Sequence, residues 1–175
     1  MAFVAEDGTG LPNSNGYITA QFFKDYHGDR GRDLTDPDTS APYTDDKIQQ
    51  AIVVASDYLD AKFTFIGMRE KTTQAMEWPR VNAFYQDGRH ALGVPVEVQE
   101  CVAELALKQL SGEIAPDPTY DASNRLVTAE RKKVGPIEKE SKYTEGGAPV
   151  PFRMYPFAEA RLRELIVTGQ FLQRV

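Results

Sequence analysis

Apolar residues cover most of the circumference of a helix that the sequence predicts over residues 95–111. At the helical period of about 3.6 residues per turn, its charged side chains fall in one narrow stripe, formed by Glu97, Glu100, Glu104 and Lys108. Most of the other positions are apolar: Val98, Cys101, Val102, Ala103, Leu105, Ala106, Leu107 and Leu110. Because such a helix must be surrounded by other elements or other chains, we predict that it is the central helix of a small helical protein.

Three further helices are predicted around it. The clearest covers residues 45–63, where apolar residues recur at helical spacing. Thr19 is expected to be the N-cap of a helix that ends near residue 28, because Ile18 and Phe23 then occupy the positions of a hydrophobic staple. A short last helix is expected over residues 156–167.

Val53 lies alone on the polar side of the 45–63 helix, among Gln49, Ser56, Asp57 and Asp60. A single exposed valine is usually unremarkable. Contact with another subunit is the alternative, so Val53 is a candidate subunit contact.

The remaining segments are rich in turn-forming residues or resemble strands. Residues 5–16, 28–43 and 112–124 are predicted to be irregular, whereas 125–134 and 137–143 are predicted to pair as strands. Irregular stretches of this length are unusual in a compact monomer, so we expect disorder or ordering by neighbouring chains. The predicted fold is mainly α, a small helical bundle around a central buried helix, with a β-hairpin, long irregular arms and a C-terminal docking helix. Its organisation is a helical core with an N-terminal arm over 1–124, the hairpin over 125–143, and a linker with the C-terminal helix and tail over 144–175.

Composition restricts the class of protein. The chain has 175 residues, a net charge of −6 and one cysteine, so contact with nucleic acid requires a local basic patch and no intramolecular disulfide can form. The first residues lack the pattern of a signal peptide, and no apolar run approaches the roughly 20 residues that cross a bilayer. We expect a soluble protein made in a cytoplasm, without membrane contact.

Residues that could support catalysis are scattered. His27 is expected to cap the end of the first helix, His90 to lie in a surface loop, and Cys101 to be a buried, inert thiol. Four aspartates at positions 29, 33, 36 and 38 do not match the spacing of an EF-hand. We therefore expect neither an enzyme nor a bound metal or cofactor.

Two clusters could contact nucleic acid. The first lies in the predicted hairpin and includes Arg131, Lys132, Lys133, Lys139 and Lys142, interleaved with glutamates. A mixed-charge sheet edge that resists aggregation is one interpretation, and a surface that meets phosphates, an acidic partner or a neighbouring subunit is the other. The second cluster is Trp78, Arg80, Phe84, Tyr85 and Arg89. It fits single-strand binding by aromatic rings and arginines, but core packing is the preferred explanation for Trp78 and Phe84.

Several segments together resemble one family of phage proteins. They are residues 6–19 (EDGTGLPNSNGYIT), 55–60 (ASDYLD), 73–80 (TQAMEWPR), 101–112 and 133–138 (KVGPIE). The family resembles the head-to-tail adaptor, connector or head completion proteins of tailed phages, and is often labelled a DnaT-like single-stranded-DNA-binding protein. The resemblance extends over about residues 3 to 167.

As an adaptor, the resemblance implies a ring of identical subunits, expected to be a dodecamer, at the head-tail junction of the virion after assembly in the bacterial cytoplasm. The ring would dock on the portal protein, contact a tail or nozzle protein below, and let genomic double-stranded DNA pass through its lumen. The C-terminal helix or tail often reaches the portal in such proteins. The portal-binding candidates are therefore Leu162, Leu165, Ile166, Phe171 and Leu172. The alternative is the function in the family label, a DnaT-like single-stranded-DNA-binding replication accessory protein.

Overall fold

The computed structural model describes residues 2–115 and 155–167 in full, and the backbone of 127–133 and 138–143. Helices dominate, which confirms the predicted mainly α class. The helices are α1 (Ala20–Gly28), α2 (Asp45–Lys62), α3 (Val96–Ser111) and α4 (Pro156–Leu162). The strands are β1 (Thr35–Asp36), β2 (Ala41–Pro42), β3 (Met68–Arg69), β4 (Arg80–Val81), β5 (Val127–Lys133) and β6 (Glu138–Tyr143). No helix among these described residues is long and apolar enough to cross a membrane.

The chain divides into two compact units. The first, called the helical body here, consists of Met1–Ile114 and Met154–Val175 and contains the four helices. The second, called the hairpin unit, is Ala115–Arg153 and contains β5 and β6.

Helix α3 is the centre of the helical body, as its apolar circumference predicted. Helices α1, α2 and α4 all contact it. Its fully buried side chains are Val98, Cys101, Val102, Ala103, Leu105 and Ala106. Since burying a Val or Leu side chain stabilises a fold by about 1.5–3 kcal/mol, α3 contributes much of the cohesion of this unit.

Helices α1 and α2 begin where the sequence predicted. The Thr19 hydroxyl accepts a hydrogen bond from the backbone N–H of Phe22 at 3.1 Å, and Thr44 caps α2 in the same way. The expectation that Ser56 lies on the polar face of α2 is wrong. Ser56 is fully buried and its hydroxyl accepts a hydrogen bond from the backbone N–H of Tyr17, so this hydroxyl faces the core because it satisfies a buried amide.

The segment 28–43 is more ordered than predicted. Strands β1 and β2 pair antiparallel within it. The carboxylate of Asp36 is buried and forms an ion pair with Lys47 of α2 at 2.5 Å. It also accepts a hydrogen bond from the backbone N–H of Asp38. The Asp36 carboxylate therefore attaches the 28–43 segment to α2, although the composition of this segment predicts a solvated loop.

The predicted strand pair in the hairpin unit is confirmed. Strands β5 and β6 are antiparallel, and their register places Arg131 opposite Glu140, Lys132 opposite Lys139, and Lys133 opposite Glu138. The register shifts between Val127 and Ala129.

Helix α4 ends at Leu162 and not at residue 167 as expected. Beyond the helix, the backbone pairs with the segment that follows α2: the N–H of Ile66 donates to the Leu165 carbonyl at 2.9 Å, and the N–H of Val167 donates to the Thr64 carbonyl at 2.8 Å. These bonds to a neighbouring segment replace the bonds of a further helical turn.

Candidate nucleic-acid interface

The segment 73–80, the most distinctive motif of the sequence, is a structural anchor. Trp78 is fully buried, packs edge-on against Phe65 with ring centroids 5.6 Å apart, and precedes a cis peptide bond to Pro79. The buried Gln74 side chain donates to the carbonyls of Met76 and Pro79, at 2.7 and 3.0 Å. The prediction that the Trp78 ring fills the core is therefore confirmed, and Trp78 is unavailable for stacking on a base.

Arg80 is also committed to the fold. Its guanidinium donates to the carbonyl oxygens of Phe65, Ile66 and Gly67, and it forms an ion pair with Glu77 at 2.5 Å. These contacts attach the motif to the chain segment after α2. Since its donors are occupied by carbonyls and a carboxylate, Arg80 is not a phosphate-binding candidate.

The N-terminal motif has a similar role. The buried carboxylate of Glu6 accepts hydrogen bonds from the backbone N–H groups of Gly8, Gly10 and Leu11, and from the Ser14 hydroxyl. One side chain thus organises the 6–14 loop. The loop is joined to the 73–80 motif by a bond from the Ala75 N–H to the Leu11 carbonyl at 3.0 Å.

A polar cluster connects these two motifs to α2. The Tyr17 hydroxyl donates to Asp60 Oδ1 at 2.5 Å, and the backbone N–H of Glu77 donates to Asp60 Oδ2 at 3.1 Å. Removal from water raises the pKa of Asp60 to about 6 and raises that of Tyr17. Every partner of this cluster is a group of the chain itself, so we assign it to stability.

The exposed aromatic groups lie farther along, on a short hairpin over 84–90 that the sequence analysis missed. Phe84 and His90 form a backbone bridge, and their rings stand edge-on with centroids 4.1 Å apart. Phe84 is 44% exposed, so its assignment to the core was wrong, whereas His90 lies at the surface as expected. The turn dipeptide Asp87-Gly88 between aromatic residues could have revealed this hairpin, and Gly88 adopts the required positive φ of 85°.

The other side of this hairpin is attached to the helical body. The Tyr85 hydroxyl donates to Glu97 of α3 at 2.7 Å. The Arg89 guanidinium lies over the Tyr85 ring, 4.7 Å from its centroid, and pairs with Asp87 at 2.6 Å. The turn is therefore held on one face, while Phe84 and His90 are presented on the other.

The basic cluster of the sequence lies in the hairpin unit. Arg131, Lys132 and Lys133 belong to β5, and Lys139 and Lys142 to β6. The register places Lys132 opposite Lys139, whereas Arg131 and Lys133 are opposite glutamates and Lys142 is opposite Ala129. Residues 125–143 contain six basic and three acidic residues. Their net charge of +3 therefore contrasts with −6 for the whole chain, which leaves −9 on the remaining residues.

Basic side chains in the described part of the helical body are mostly paired with carboxylates. The ion pairs join Lys24 to Asp45, Arg30 and Arg161 to Glu100, Lys47 to Asp36, Lys62 to Glu159, Arg69 and Arg80 to Glu77, Arg89 to Asp87, and Arg163 to Glu164. Local compensation of this kind leaves little positive field on this unit to attract a polyanion.

The two other candidates for chemistry lie in the core. His27 is fully buried, and its Nε2 donates to the Ala103 carbonyl of α3 at 3.0 Å, so the expectation that it caps α1 is wrong. Burial lowers the pKa of His27, which favours the neutral ring. Cys101 is buried as predicted, and burial raises its pKa to about 12, which makes the thiol unreactive. The described residues contain no group of three His, Cys, Asp or Glu side chains that could hold a metal ion.

Val53 lines a surface cleft of about 380 Å³ between α2 and the N-terminal segment. The cleft is also lined by Ala2, Phe3, Asn15, Asp46, Gln49 and Gln50. Val53 is only partly exposed, and its neighbour Val54 is the more exposed valine. A subunit contact at Val53 stays a prediction.

The portal-binding candidates differ in their surroundings. Leu162 and Leu165 are fully buried in the helical body, and Ile166 packs against its core. Contact with a partner through Leu162 or Leu165 would require α4 to separate from the core, whereas Phe171 and Leu172 lie outside the described residues. Binding to a portal through any of the five stays a prediction.

A family model described as "Putative DnaT-like ssDNA binding protein" matches residues 1–175. Comparisons with curated proteins and with solved structures gave no match. The motifs at 6–19 and 73–80, which carry the resemblance, are structural anchors in this chain. The chain belongs to the DnaT-like ssDNA-binding protein family.

Proposed function

We propose that the protein binds single-stranded DNA through residues 125–143 of the hairpin unit, which include β5 and β6, and that it does so without catalysis. The observation that carries this proposal is the separation of charge, with +3 on residues 125–143 and −9 on the rest of the chain. A net charge of −6 argues against binding by the molecule as a whole, but phosphate contacts are local. Binding to nucleic acid depends on the cations that meet the phosphates and release their counterions.

The register of the hairpin supports the proposal. Lys132 and Lys139 occupy directly opposite positions, and like charges at such positions destabilise a strand pair. A phosphate backbone along this face would offset that repulsion. The neighbouring positions pair Arg131 with Glu140 and Lys133 with Glu138, an arrangement that is favourable without any ligand.

Charge reversal tests the proposal. We expect the full chain to bind a fluorescently labelled oligothymidylate in anisotropy titrations at low salt, and the double variant Lys132→Glu, Lys139→Glu to lose this binding. The matched control is Arg32→Glu, Lys108→Glu, because both residues are exposed on the helical body and the change in net charge is identical. Equal weakening by the two variants would show that only the overall charge matters, and would overturn the assignment to the hairpin.

A second candidate function is the head-to-tail adaptor of a tailed bacteriophage. It would be a ring, expected to be dodecameric, that docks on the portal protein and a tail or nozzle protein in the virion and passes double-stranded DNA. The observation that favours it is a set of exposed large apolar side chains on the helical body. Met68 and Leu92 are 60% and 76% exposed, and Val96 and Val167 are also exposed. Such residues suit contacts with neighbouring subunits.

The two candidates differ in oligomeric state and in DNA affinity. An adaptor is expected to form closed rings with its portal, visible by electron microscopy, and to bind single strands weakly. Rings without measurable binding to the oligothymidylate would favour the adaptor, whereas tight binding by isolated protein that forms no rings would favour the first proposal.

A further inference from the structure

The hairpin over 84–90 carries two aromatic rings at the surface, which contact each other edge-on. Phe84 is 44% exposed and His90 is exposed beside it, with ring centroids 4.1 Å apart and planes inclined by 61°. A solitary exposed phenylalanine is ordinary. Two adjacent rings at the base of a well-ordered turn are a feature that a ligand with a flat face can recognise.

The backbone of the hairpin is held firmly. The N–H of Tyr85 donates to the Arg89 carbonyl, the N–H of Gly88 to the Tyr85 carbonyl, and the N–H of Ala91 to the Ala83 carbonyl, each at 2.9 Å. The Tyr85 hydroxyl bonds to Glu97, which attaches the turn to α3. Rings on such a support lose little conformational entropy when a ligand stacks on them.

The charges around the hairpin indicate which part of a nucleic acid it can meet. The one cation of the hairpin itself, Arg89, pairs with Asp87 at 2.6 Å. Glu97 and Glu164 also border this hairpin, and Glu164 pairs with Arg163 at 3.8 Å. With three carboxylates beside two paired guanidinium groups, this neighbourhood is a poor site for phosphates. An uncharged aromatic face is therefore the suitable ligand group, and among the parts of a single strand that group is an unstacked base.

We propose that Phe84 and His90 form a stacking platform for an unpaired base of single-stranded DNA. This proposal rests on the proposed function and adds to it a contact with the bases, beside the contacts with phosphates. Stacking on aromatic side chains tolerates any sequence, because every base has a π face. The contact therefore discriminates unpaired from paired bases, whose faces are covered by their neighbours in the duplex.

The test compares two oligonucleotides with the same number of phosphates, one an oligothymidylate and the other abasic throughout. We expect the protein to bind the oligothymidylate more tightly by about fivefold or more. Phe84→Leu should remove this preference while leaving affinity for the abasic strand unchanged, and Phe84→Trp should preserve it. Phe157→Ala is the control, because Phe157 is a comparably exposed phenylalanine (39%) that belongs to α4 and not to the 84–90 hairpin.

The outcomes separate the two proposals. Equal affinity of the wild-type protein for both strands overturns the stacking platform and leaves phosphate binding by the hairpin unit intact. Absence of binding to either strand overturns the proposed function, and the platform with it. A preference for the oligothymidylate that survives in Phe84→Leu, or disappears in Phe157→Ala, contradicts the assignment to Phe84.

Discussion

The carboxyl group of Asp60 should make the stability of the helical body depend on pH in an unusual direction. Asp60 is partly buried between α2 and the 73–80 motif, and it accepts hydrogen bonds from the Tyr17 hydroxyl and the Glu77 amide. Removal from water outweighs these bonds and raises its pKa from 3.8 to about 6. The folded protein therefore holds this proton more tightly than the unfolded chain does.

The sign and size of the Asp60 contribution to the free energy of unfolding follow from the difference between its pKa in the folded and unfolded states. A raised pKa gives a stabilising contribution that is complete below pH 3.8 and is lost as the pH rises through about 6. A shift of roughly two units corresponds to about 3 kcal/mol in the free energy of unfolding, at about 1.4 kcal/mol per unit. Several other carboxyl groups work in the opposite direction, since hydrogen bonds and ion pairs lower the pKa of Asp36 and Asp87. The contribution of Asp60 must therefore be isolated by subtraction.

Urea unfolding of the wild type and of Asp60→Asn can be measured between pH 3.5 and pH 8. The difference between the two free energies of unfolding then isolates the contribution of Asp60. Asparagine cannot titrate, so we expect the difference in unfolding free energy between the two proteins to change by about 3 kcal/mol across this range. Asp57→Asn is the control, because Asp57 lies on the same helix with an exposed side chain. Burial also raises the pKa of Asp57, so its difference profile should change in the same direction as that of Asp60→Asn but by a smaller amount. Parallel profiles for the wild type and Asp60→Asn would refute the assignment of a raised pKa to this carboxyl group.

Three further predictions concern packing and the C-terminal segment. Leu162→Ala should lower the free energy of unfolding by about 2–5 kcal/mol in urea titrations, because the side chain is fully buried; a loss below about 1 kcal/mol would contradict its place in the core. Gly67→Ala should lower the melting temperature clearly, because the φ of Gly67 is +74° and a Cβ there would lie 2.4 Å from the Val81 carbonyl oxygen; an unchanged melting temperature would contradict this geometry. If the adaptor function is correct, removal of residues 168–175 should leave a folded protein that no longer co-purifies with its portal, and unchanged docking would exclude the tail as the contact.

Helix positions were predictable because apolar periodicity and capping residues act locally. Thr19 and Thr44 begin helices by bonding to amides within the next turn, and the largely apolar circumference of α3 required neighbours on most of its sides. The end of α4 was not predictable in this way. Residues 163–167 leave the helix because Leu165 and Val167 bond to the segment after α2, about a hundred positions earlier in the chain.

The candidate interface was predictable only in part. The basic composition of residues 125–143 and the strand pair could be predicted from sequence, because charge and turn residues are local properties. The arrangement of the aromatic cluster could not be predicted from sequence. Trp78 and Phe84 are both aromatic and lie in the same segment, but Trp78 is buried and Phe84 is exposed. Trp78 packs on Phe65 in the core, whereas Phe84 stands at the base of a turn that α3 holds through Tyr85.

Binding of single-stranded DNA by residues 125–143 can be located by ultraviolet cross-linking of the full chain at low salt, with the cross-linked peptides identified by mass spectrometry. We expect cross-links in peptides from residues 125–143, with a second site at 84–90, and their loss as salt is raised. Cross-links confined to other parts of the helical body, or none at low salt, would contradict binding by residues 125–143.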